Sequence, residues 1–554
     1  MKFPDLAIKI FILTGSALLF IPFLGNVHLF DWDEINFAEC AREMIVTGEY
    51  SRVMINYQPF WEKPPLFFWL QAISMNIIGV NELAARLPNA ICGTITLLML
   101  FNIGTKLYDK QFGLLWVLAY AGSFLPHFYF KSGIIDPWFN LFIFSGIYYF
   151  VVYTYNDSET KVKNKTSLFL SALFTGLAIM SKGPVALLIV GLCFIIYFLL
   201  SGLKKIISIR DLFIYGCLVA FTGSLWFIIE ISGGRYDIVV EFFEYQVRLF
   251  KTKDAGHGGP FFYHFLVLLI GCFPASIIAA RALTKTTKAS SFQHYFKKWM
   301  IILFWVVLIL FSIVKTKIVH YSSLCYFPLT FLAAYGIYKI HHNELTWKKW
   351  MTWLIAGIGI IIGSAITLFP FLDKYKSEII ASGIIKDDFA IANLQADVYW
   401  NGWEFMVGIL FIIGIISGIV LINKEKIKEG YISLCIATLI TVNLTSLLYV
   451  PKIEQYSQNA AIEFYESLET KDCYIMTLGF KSYAHLFYGK GQPGAKPKME
   501  DDGQWKEWLL NGPIDKPAYF AAKITTEEEI KSGYPQLKEL YRKNGFVFYE
   551  RPVD

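Results

Sequence analysis

Thirteen apolar runs of spanning or near-spanning length leave this chain few options. They lie at roughly 6–25, 86–106, 112–130, 137–155, 167–180, 184–200, 212–230, 262–280, 299–314, 322–339, 350–369, 404–422 and 430–450. A bilayer core about 30 Å thick takes about 20 apolar residues of helix, and the runs predict an all-α polytopic membrane protein of about thirteen transmembrane helices. Composition agrees. Hydrophobic residues make up 55%, charged residues 17%, and mean hydropathy is +0.47, against about 25% charge in soluble domains. Disordered, collagen-like and disulfide-stapled chains are excluded. The first run has no small-residue cleavage site and ends at Pro22-Phe23, so it reads as a retained helix. The eight cysteines are dispersed without metal-ligand spacing and read as buried apolar residues.

Charge orients the runs. Residues 451–554 hold 14 Lys+Arg and 16 Asp+Glu, leaving 36 and 28 for the rest of the chain. The basic part suits loops facing an anionic leaflet and does not call for nucleic acid. Lysines and arginines cluster at 106–110, 161–165, 204–210, 281–298, 348–349 and 424–428, which predicts cytoplasmic connections. The alternate set, including 26–63, 231–261 and the tail, then lies outside. This parity holds only if 65–80, which is short and begins after Pro64, lies at the outer interface without crossing. The predicted organisation is a transmembrane domain over 1–450 and a small soluble α/β domain over 451–554. A first outer loop with juxtamembrane helices spans 26–85, and a further outer loop spans 231–261. In the tail, "AAIEFYESLE" and "ITTEEEIKSGYPQLKELYRKNG" have helical spacing, whereas "KDCYIMTLGF", "PAYFAAK" and "GFVFYERP" read as strands.

The outer loop 26–63 carries seven acids and three bases. Its Asp33-Glu34 pair precedes a helical stretch, 35–46. A carboxylate against apolar surface can serve as a base or bind a divalent cation; Asp33 equally suits a helix N-cap, with Glu34 complementing the dipole. Asp136, before Pro137, also has the form of an N-cap and shares the outer boundary with Asp33, making it a second candidate acid. Lys63, Lys182, Arg248, Lys315 and Lys317 fall on outer loops, where basic residues are disfavoured. Singly they suit snorkelling to lipid headgroups; together they suit a phosphate or diphosphate. His257, in the glycine-rich stretch 255–260, suits a lid or a metal ligand with Asp33 or Glu34.

In order along the chain stand Asp33-Glu34, Phe37-Ala38-Glu39, Ala41-Arg42-Glu43-Met44 and Thr47-Gly48. They are followed by Glu62-Lys63-Pro64-Pro65-Leu66, Ala85-Arg86-Leu87-Pro88, Asp136, Lys182-Gly183-Pro184, the stretch 241–276, and Phe311 to Pro328 with His320-Tyr321. This ordered set resembles bacterial members of the protein O-mannosyltransferase superfamily, on the lipid A aminoarabinose transferase (ArnT-like) branch. The resemblance covers about 26–330 well and the remainder in layout. It implies the GT-C fold with about thirteen transmembrane helices, outer juxtamembrane helices and a small periplasmic C-terminal domain. It implies inverting transfer from an undecaprenyl-phosphate-type carrier to lipid A or another glycolipid, or to a protein, on the periplasmic face of a bacterial inner membrane. It places a catalytic aspartate at Asp33, with Glu34 and Asp136 beside it. It implies lipid-phosphate contacts near Lys63, Arg248 and Tyr321; the residues themselves add Glu62, Arg86, Lys182 and Lys317 as candidate substrate contacts and a divalent metal at His257, with Asp33 or Glu34, as the candidate cofactor.

A lipid-linked-sugar transporter or flippase is the rival from another class. A transferase must gather its acids and cations in one outward cavity, whereas a transporter places charge near the midplane.

Overall fold

The computed structural model describes residues 4–155, 164–251, 258–283, 290–492 and 502–553. Every apolar run is occupied by a helix or a bent pair of helices. The chain opens with α1 (Asp5–Phe20). Two helices follow in the first loop, α2 (Asp33–Thr47) and α3 (Leu66–Ile78), with a short hairpin of β1 (Met54–Ile55) and β2 (Gln58–Pro59) between them. Next come α4 (Glu82–Leu107), α5 (Lys110–Ala121), α6 (Phe124–Phe128), α7 (Asp136–Thr154), α8 (Lys165–Lys182) and α9 (Val185–Leu200). The centre of the chain holds α10 (Ile209–Gly223), α11 (Leu225–Ser232), α12 (Tyr236–Lys251), α13 (Tyr263–Gly271), α14 (Ala275–Ala282), α15 (Ser291–Ile313), α16 (Tyr326–His341) and α17 (Lys349–Leu368). Two further long helices run over Met406–Asn423 and Ile427–Leu448.

Among the described residues five helices are long and apolar enough to cross a membrane by themselves, and up to eight if each bent pair forms one span. The remaining runs hold shorter helices such as α9. Large apolar side chains such as Phe11, Leu18, Phe213 and Ile361 stand on the outside of the bundle, as expected where the solvent is lipid. Inside, glycines let helices meet closely. A Cβ on Gly104 of α4 would lie 2.7 Å from the Cα of Gly113 in α5, so neither position accepts a side chain without the crossing opening.

Side-chain contacts tie the connections together at each end of the bundle. At one end Lys110 pairs with Asp5, Gln293 Nε2 donates to the Leu107 carbonyl, and Lys298 Nζ donates to the Leu200 carbonyl. Four helices begin at this end with side-chain caps, from Asp109, Asn164, Ser208 and Ser290, the last forming a capping box with Gln293. This is the end the basic connections occupy. The other end carries the first loop and the C-terminal tail.

The stretch 65–80 forms a helix too short to span a bilayer core by itself. Its helix, α3, has 13 residues, about 20 Å at 1.5 Å per residue, against a core about 30 Å thick. It packs on α2 and α4, and its Ala72 and Met75 share a buried cluster with tail residues such as Ala460, Tyr465 and Phe548. Gln71, a polar residue that would be costly in lipid, donates to the Ala85 carbonyl at 2.9 Å.

The tail contains a four-stranded sheet in the order β3-β4-β6-β5, with β3 (Tyr474–Leu478), β4 (Ala518–Lys523), β5 (Lys538–Lys543) and β6 (Phe546–Arg551). β3 pairs parallel with β4, and the other pairings are antiparallel. The expected helix over 524–545 is corrected here. Only Glu527–Gly533 is helical, and 538–543 is an exposed edge strand. Pro535 interrupts the helix, and Asn544-Gly545, with Asn544 at φ 54°, closes a tight hairpin back into β6.

Candidate active site

A cavity of about 730 Å³ opens where the first loop, the helix ends and the tail meet. Asp33 and Asp136 enter it from the first turns of α2 and α7, and Lys182 from the last residue of α8. Lys63 and Glu62 come from the loop before α3, Tyr245 and Arg248 from α12, and His320 and Tyr321 from the 3-10 turn Val319–Cys325. Ile134, Val185, Ile189 and Leu324 continue the wall into the bundle. Eight of the sequence candidates therefore face one space: Asp33, Glu34, Asp136, Glu62, Lys63, Lys182, Arg248 and Tyr321.

Neither aspartate is an N-cap. Trp32 and Ile135 occupy those positions, and no side chain caps either helix. α2 begins two residues earlier than its spacing suggests, so Asp33 lies inside the first turn with its carboxylate free to meet another element. His320 Nε2 lies 3.7 Å from Asp33 Oδ2 and 4.0 Å from Asp136 Oδ2. On its other side Asp136 accepts from Lys182 Nζ at 2.7 Å. Asp33 is 35% exposed and Asp136 only 5%. The accessible carboxylate is thus the one suited to meet a substrate, and the buried one is held by a lysine.

The loops around these residues are braced. Asn89 Nδ2 donates to the carbonyls of Ser132 and Ile134, fixing the turn that leads into Asp136. Asn140 Nδ2 donates to Ser323 Oγ, linking α7 to the turn that carries His320. Gly183, at φ +86°, turns the chain immediately after Lys182; a Cβ there would meet the Phe242 ring at 2.6 Å. Only glycine satisfies both demands.

A second group of cations surrounds Tyr245. Its ring centroid lies 5.2 Å from Lys63 Nζ and 5.2 Å from Arg248 Cζ, and its hydroxyl donates to Glu62 at 3.2 Å. Lys182 Nζ stands 5.4 Å above the Tyr321 ring. Lys63 Nζ also lies 3.9 Å from Glu62 Oε2, so acids, cations and aromatic faces are interleaved along this wall.

Three candidates serve the frame. Glu34 is buried and accepts from Arg86 Nε and Nη2 at 3.1 and 2.7 Å, and from the backbone N–H groups of Phe30 and Gly133. Burial pushes its carboxyl up, but Arg86 and those N–H groups bring it below the usual carboxylate range. It touches the cavity as a brace, and the catalytic reading of Glu34 gives way. Arg86 spends its other donors on the carbonyls of Leu24, Val27 and His28. Its expected substrate contact is therefore replaced by a clamp on the first loop. Lys317 Nζ donates to the carbonyls of Phe311, Ser312 and Val314, closing the C-terminus of α15. Lys317 and Lys315 do not line the cavity. His257 lies outside the described residues. Among the described residues no group of three His, Cys, Asp or Glu side chains is placed to hold a metal ion.

Three cavity residues were not singled out as site residues from the sequence. His320 and Tyr245 sit in motifs that were noticed as runs only. Lys481 comes from the tail, about 450 residues from Asp33; its Nζ lies 4.9 Å over the Trp32 ring and 5.6 Å over Tyr483. No local signal marks it.

Residues 62–228 match the family described as dolichyl-phosphate-mannose-protein mannosyltransferase. An undecaprenyl phosphate-alpha-4-amino-4-deoxy-L-arabinose arabinosyl transferase of Wigglesworthia glossinidia brevipalpis is 26% identical over 68% of this chain and 66% of its own length. The protein of the same name from Pectobacterium carotovorum is 22% identical over 98% of this chain and 97% of its own. The crystal structure of ArnT from Cupriavidus metallidurans bound to undecaprenyl phosphate superposes with a TM-score of 0.76. It covers 99% of this chain and 98% of that one at 15% identity.

The chain is thus similar to that mannosyltransferase family over residues 62–228 and to ArnT in fold over nearly its whole length.

The fold is the ArnT-like one, a multi-pass membrane bundle carrying a small sheet-containing tail. Eight of the candidate site residues gather at one end of the bundle, in the cavity. That is the arrangement expected of a transferase, not of a transporter with midplane charge.

Proposed function

We propose that this glycosyltransferase moves a sugar from an undecaprenyl-phosphate carrier to lipid A, with inversion, at the periplasmic face of a bacterial inner membrane. The observation that carries the reading is the single cavity that joins Asp33 to the Lys63, Arg248 and Lys182 cations and runs into an apolar wall. The names of the relatives support the carrier and the sugar class. The basic connections at the far end of the bundle support a cytoplasmic placement for that end and a periplasmic one for the cavity.

In this reading the carrier's isoprenoid tail lies against Ile134, Val185 and Ile189, and its phosphate meets Lys63 and Arg248. An oxygen of the acceptor phosphate attacks the anomeric carbon from the face opposite the carrier. The bond from the anomeric carbon to the carrier oxygen breaks, and undecaprenyl phosphate leaves with the electron pair. The charge collecting on the leaving phosphate is stabilised by cations already in place, which cost no reorganisation. Asp33 orients the acceptor, or takes its proton where the nucleophile is a hydroxyl. Asp136, held by Lys182 and facing His320, sets the position of the imidazole opposite Asp33. Glu34, committed to Arg86, holds the first loop in place beside Asp33.

The test is reconstitution. The purified full chain, given undecaprenyl-phosphate-linked aminoarabinose and lipid A in detergent, should yield lipid A heavier by one sugar in mass spectrometry. Unmodified lipid A together with a glycosylated peptide acceptor would move the assignment to protein transfer.

A further inference from the structure

A second pocket, of about 220 Å³, adjoins the first and shares two lining residues with it, Asp31 and Lys481. It is built almost wholly by the tail and its supports. Lys523, the last residue of β4, holds its Nζ 4.5 Å over the Phe389 ring and 5.4 Å over Phe480. Phe546 packs on both rings, at 5.2 and 5.7 Å between centroids. Ser457, Gln458 and Ser482 add polar groups. Gln458 is fixed in place, donating to the Leu29 carbonyl at 2.8 Å and accepting from Asp31 N–H at 3.3 Å.

Two lysines here face one acid. Burial pushes the Asp31 carboxyl up to about 6 against hydrogen bonds from Ser482 and Tyr483. Aromatic faces beside a few fixed polar groups make a common setting for a small polar ligand. Lys481 and Lys523 both line this pocket, and ammonium donors of this kind are what a phosphate needs. The residues assigned to the carrier, Lys63, Arg248 and Tyr245, line only the large cavity. The second pocket is thus lined by none of the residues assigned to the carrier and joins the first through Asp31 and Lys481.

We propose that this pocket is an acceptor subsite for a phosphorylated sugar, with the phosphate held by Lys481 and Lys523 and the ring set against Phe389 and Phe480. The proposal rests on the transferase reading and extends it. The acceptor would be gripped at two points, one at the reacting centre beside Asp33 and one in the tail, and the tail becomes part of substrate recognition.

The test uses the full chain in detergent and a soluble probe, the glucosamine disaccharide 1,4′-bisphosphate, titrated by calorimetry. Losing one charge-assisted contact should weaken binding about tenfold in Lys523→Gln and again in Lys481→Gln. The unphosphorylated disaccharide should bind the wild type more weakly, and affinity for undecaprenyl phosphate should be unchanged in Lys523→Gln. Lys523→Met, which keeps the apolar stem on the phenylalanine rings, should reproduce the loss if charge is the cause. Equal affinity for the bisphosphate in wild type and both Lys523 variants overturns the subsite. If lipid A is still modified in that case, the transferase reading stands without it. Binding that depends on Lys523, with no transfer to lipid A, would overturn the acceptor assignment and keep the subsite.

Discussion

The Lys182 ammonium lies 2.7 Å from Oδ1 of Asp136, joining the last residue of α8 to the first of α7 at the floor of the cavity. Both side chains are largely removed from water, at 15% and 5% exposure. Removing one partner of such a pair leaves the other charge buried and costs about 3–5 kcal/mol. Asp136→Asn and Lys182→Met should each lower the thermal midpoint in detergent. The double variant should regain most of that loss and still fail to transfer sugar. Restored activity in the double variant would reduce the pair to a structural contact.

Asp33 has a different profile. It is partly exposed, and His320 is the one ion-pair neighbour the described structure gives it, at 3.7 Å. Asp33→Asn should therefore leave insertion and the thermal midpoint nearly unchanged. Turnover should fall by about 10²–10⁴-fold, the usual scale for a lost general base. Near-normal turnover would remove Asp33 from the mechanism.

Lys63 and Arg248 share the Tyr245 ring, which makes their contributions separable from folding. Lys63→Ala and Arg248→Ala should each weaken undecaprenyl phosphate binding by about tenfold, the value of one charged hydrogen bond. Unchanged affinity in both variants would leave these residues as anchors at the lipid headgroups.

A buried carboxyl pair links α2 to the tail. Arg42 grips Glu39 with two bonds of 2.7 Å and donates to the Gly491 carbonyl. Burial, with Glu39 adjacent, pushes the neighbouring Glu43 up to about 9. A carboxyl raised above its unfolded value contributes stability fully below about 4.5, and that stability is lost as pH rises towards 9. The thermal midpoint of the wild type should fall between pH 5 and pH 9. Glu43→Gln, which mimics the protonated form, should flatten that fall. An identical slope in the variant would mean that Glu43 is ionised throughout.

Sidedness is checked by labelling. Lys204→Cys and Ser532→Cys lie at opposite ends in the proposed orientation, and both positions are exposed. In a cysteine-free background on spheroplasts, an impermeant maleimide should label position 532 and spare 204. The reverse pattern would put the cavity on the cytoplasmic face and end the carrier-dependent reading.

Much of the site was legible along the chain because it sits at helix ends. Hydrophobic length marks where a helix stops, and alternation puts every second stop at the same end of the bundle. Asp33, Lys63, Asp136, Lys182 and Arg248 all stand at such stops, and the structure gathers them in one cavity. What could not be read was how each charge is used. Glu34 and Asp33 are neighbours of the same chemistry, yet one is tied to Arg86 from 52 residues away and the other faces open space. Lys317 looked like its fellow cations and closes a helix instead. The edge strand 538–543 was missed because its helical spacing outweighed the Asn544-Gly545 turn signal.

The sequence by itself determined the membrane class, the apolar runs that become helices and the presence of acids and cations at one boundary. These depend on hydrophobic length and local charge, which need no partner to be recognised. Only the tertiary structure decided which acid is accessible, which cations line the cavity, and that Lys481 of the tail reaches it. Those outcomes depend on contacts between residues tens to hundreds of positions apart. A charged group becomes a brace or a functional group according to whether packing brings its counter-charge within hydrogen-bonding distance.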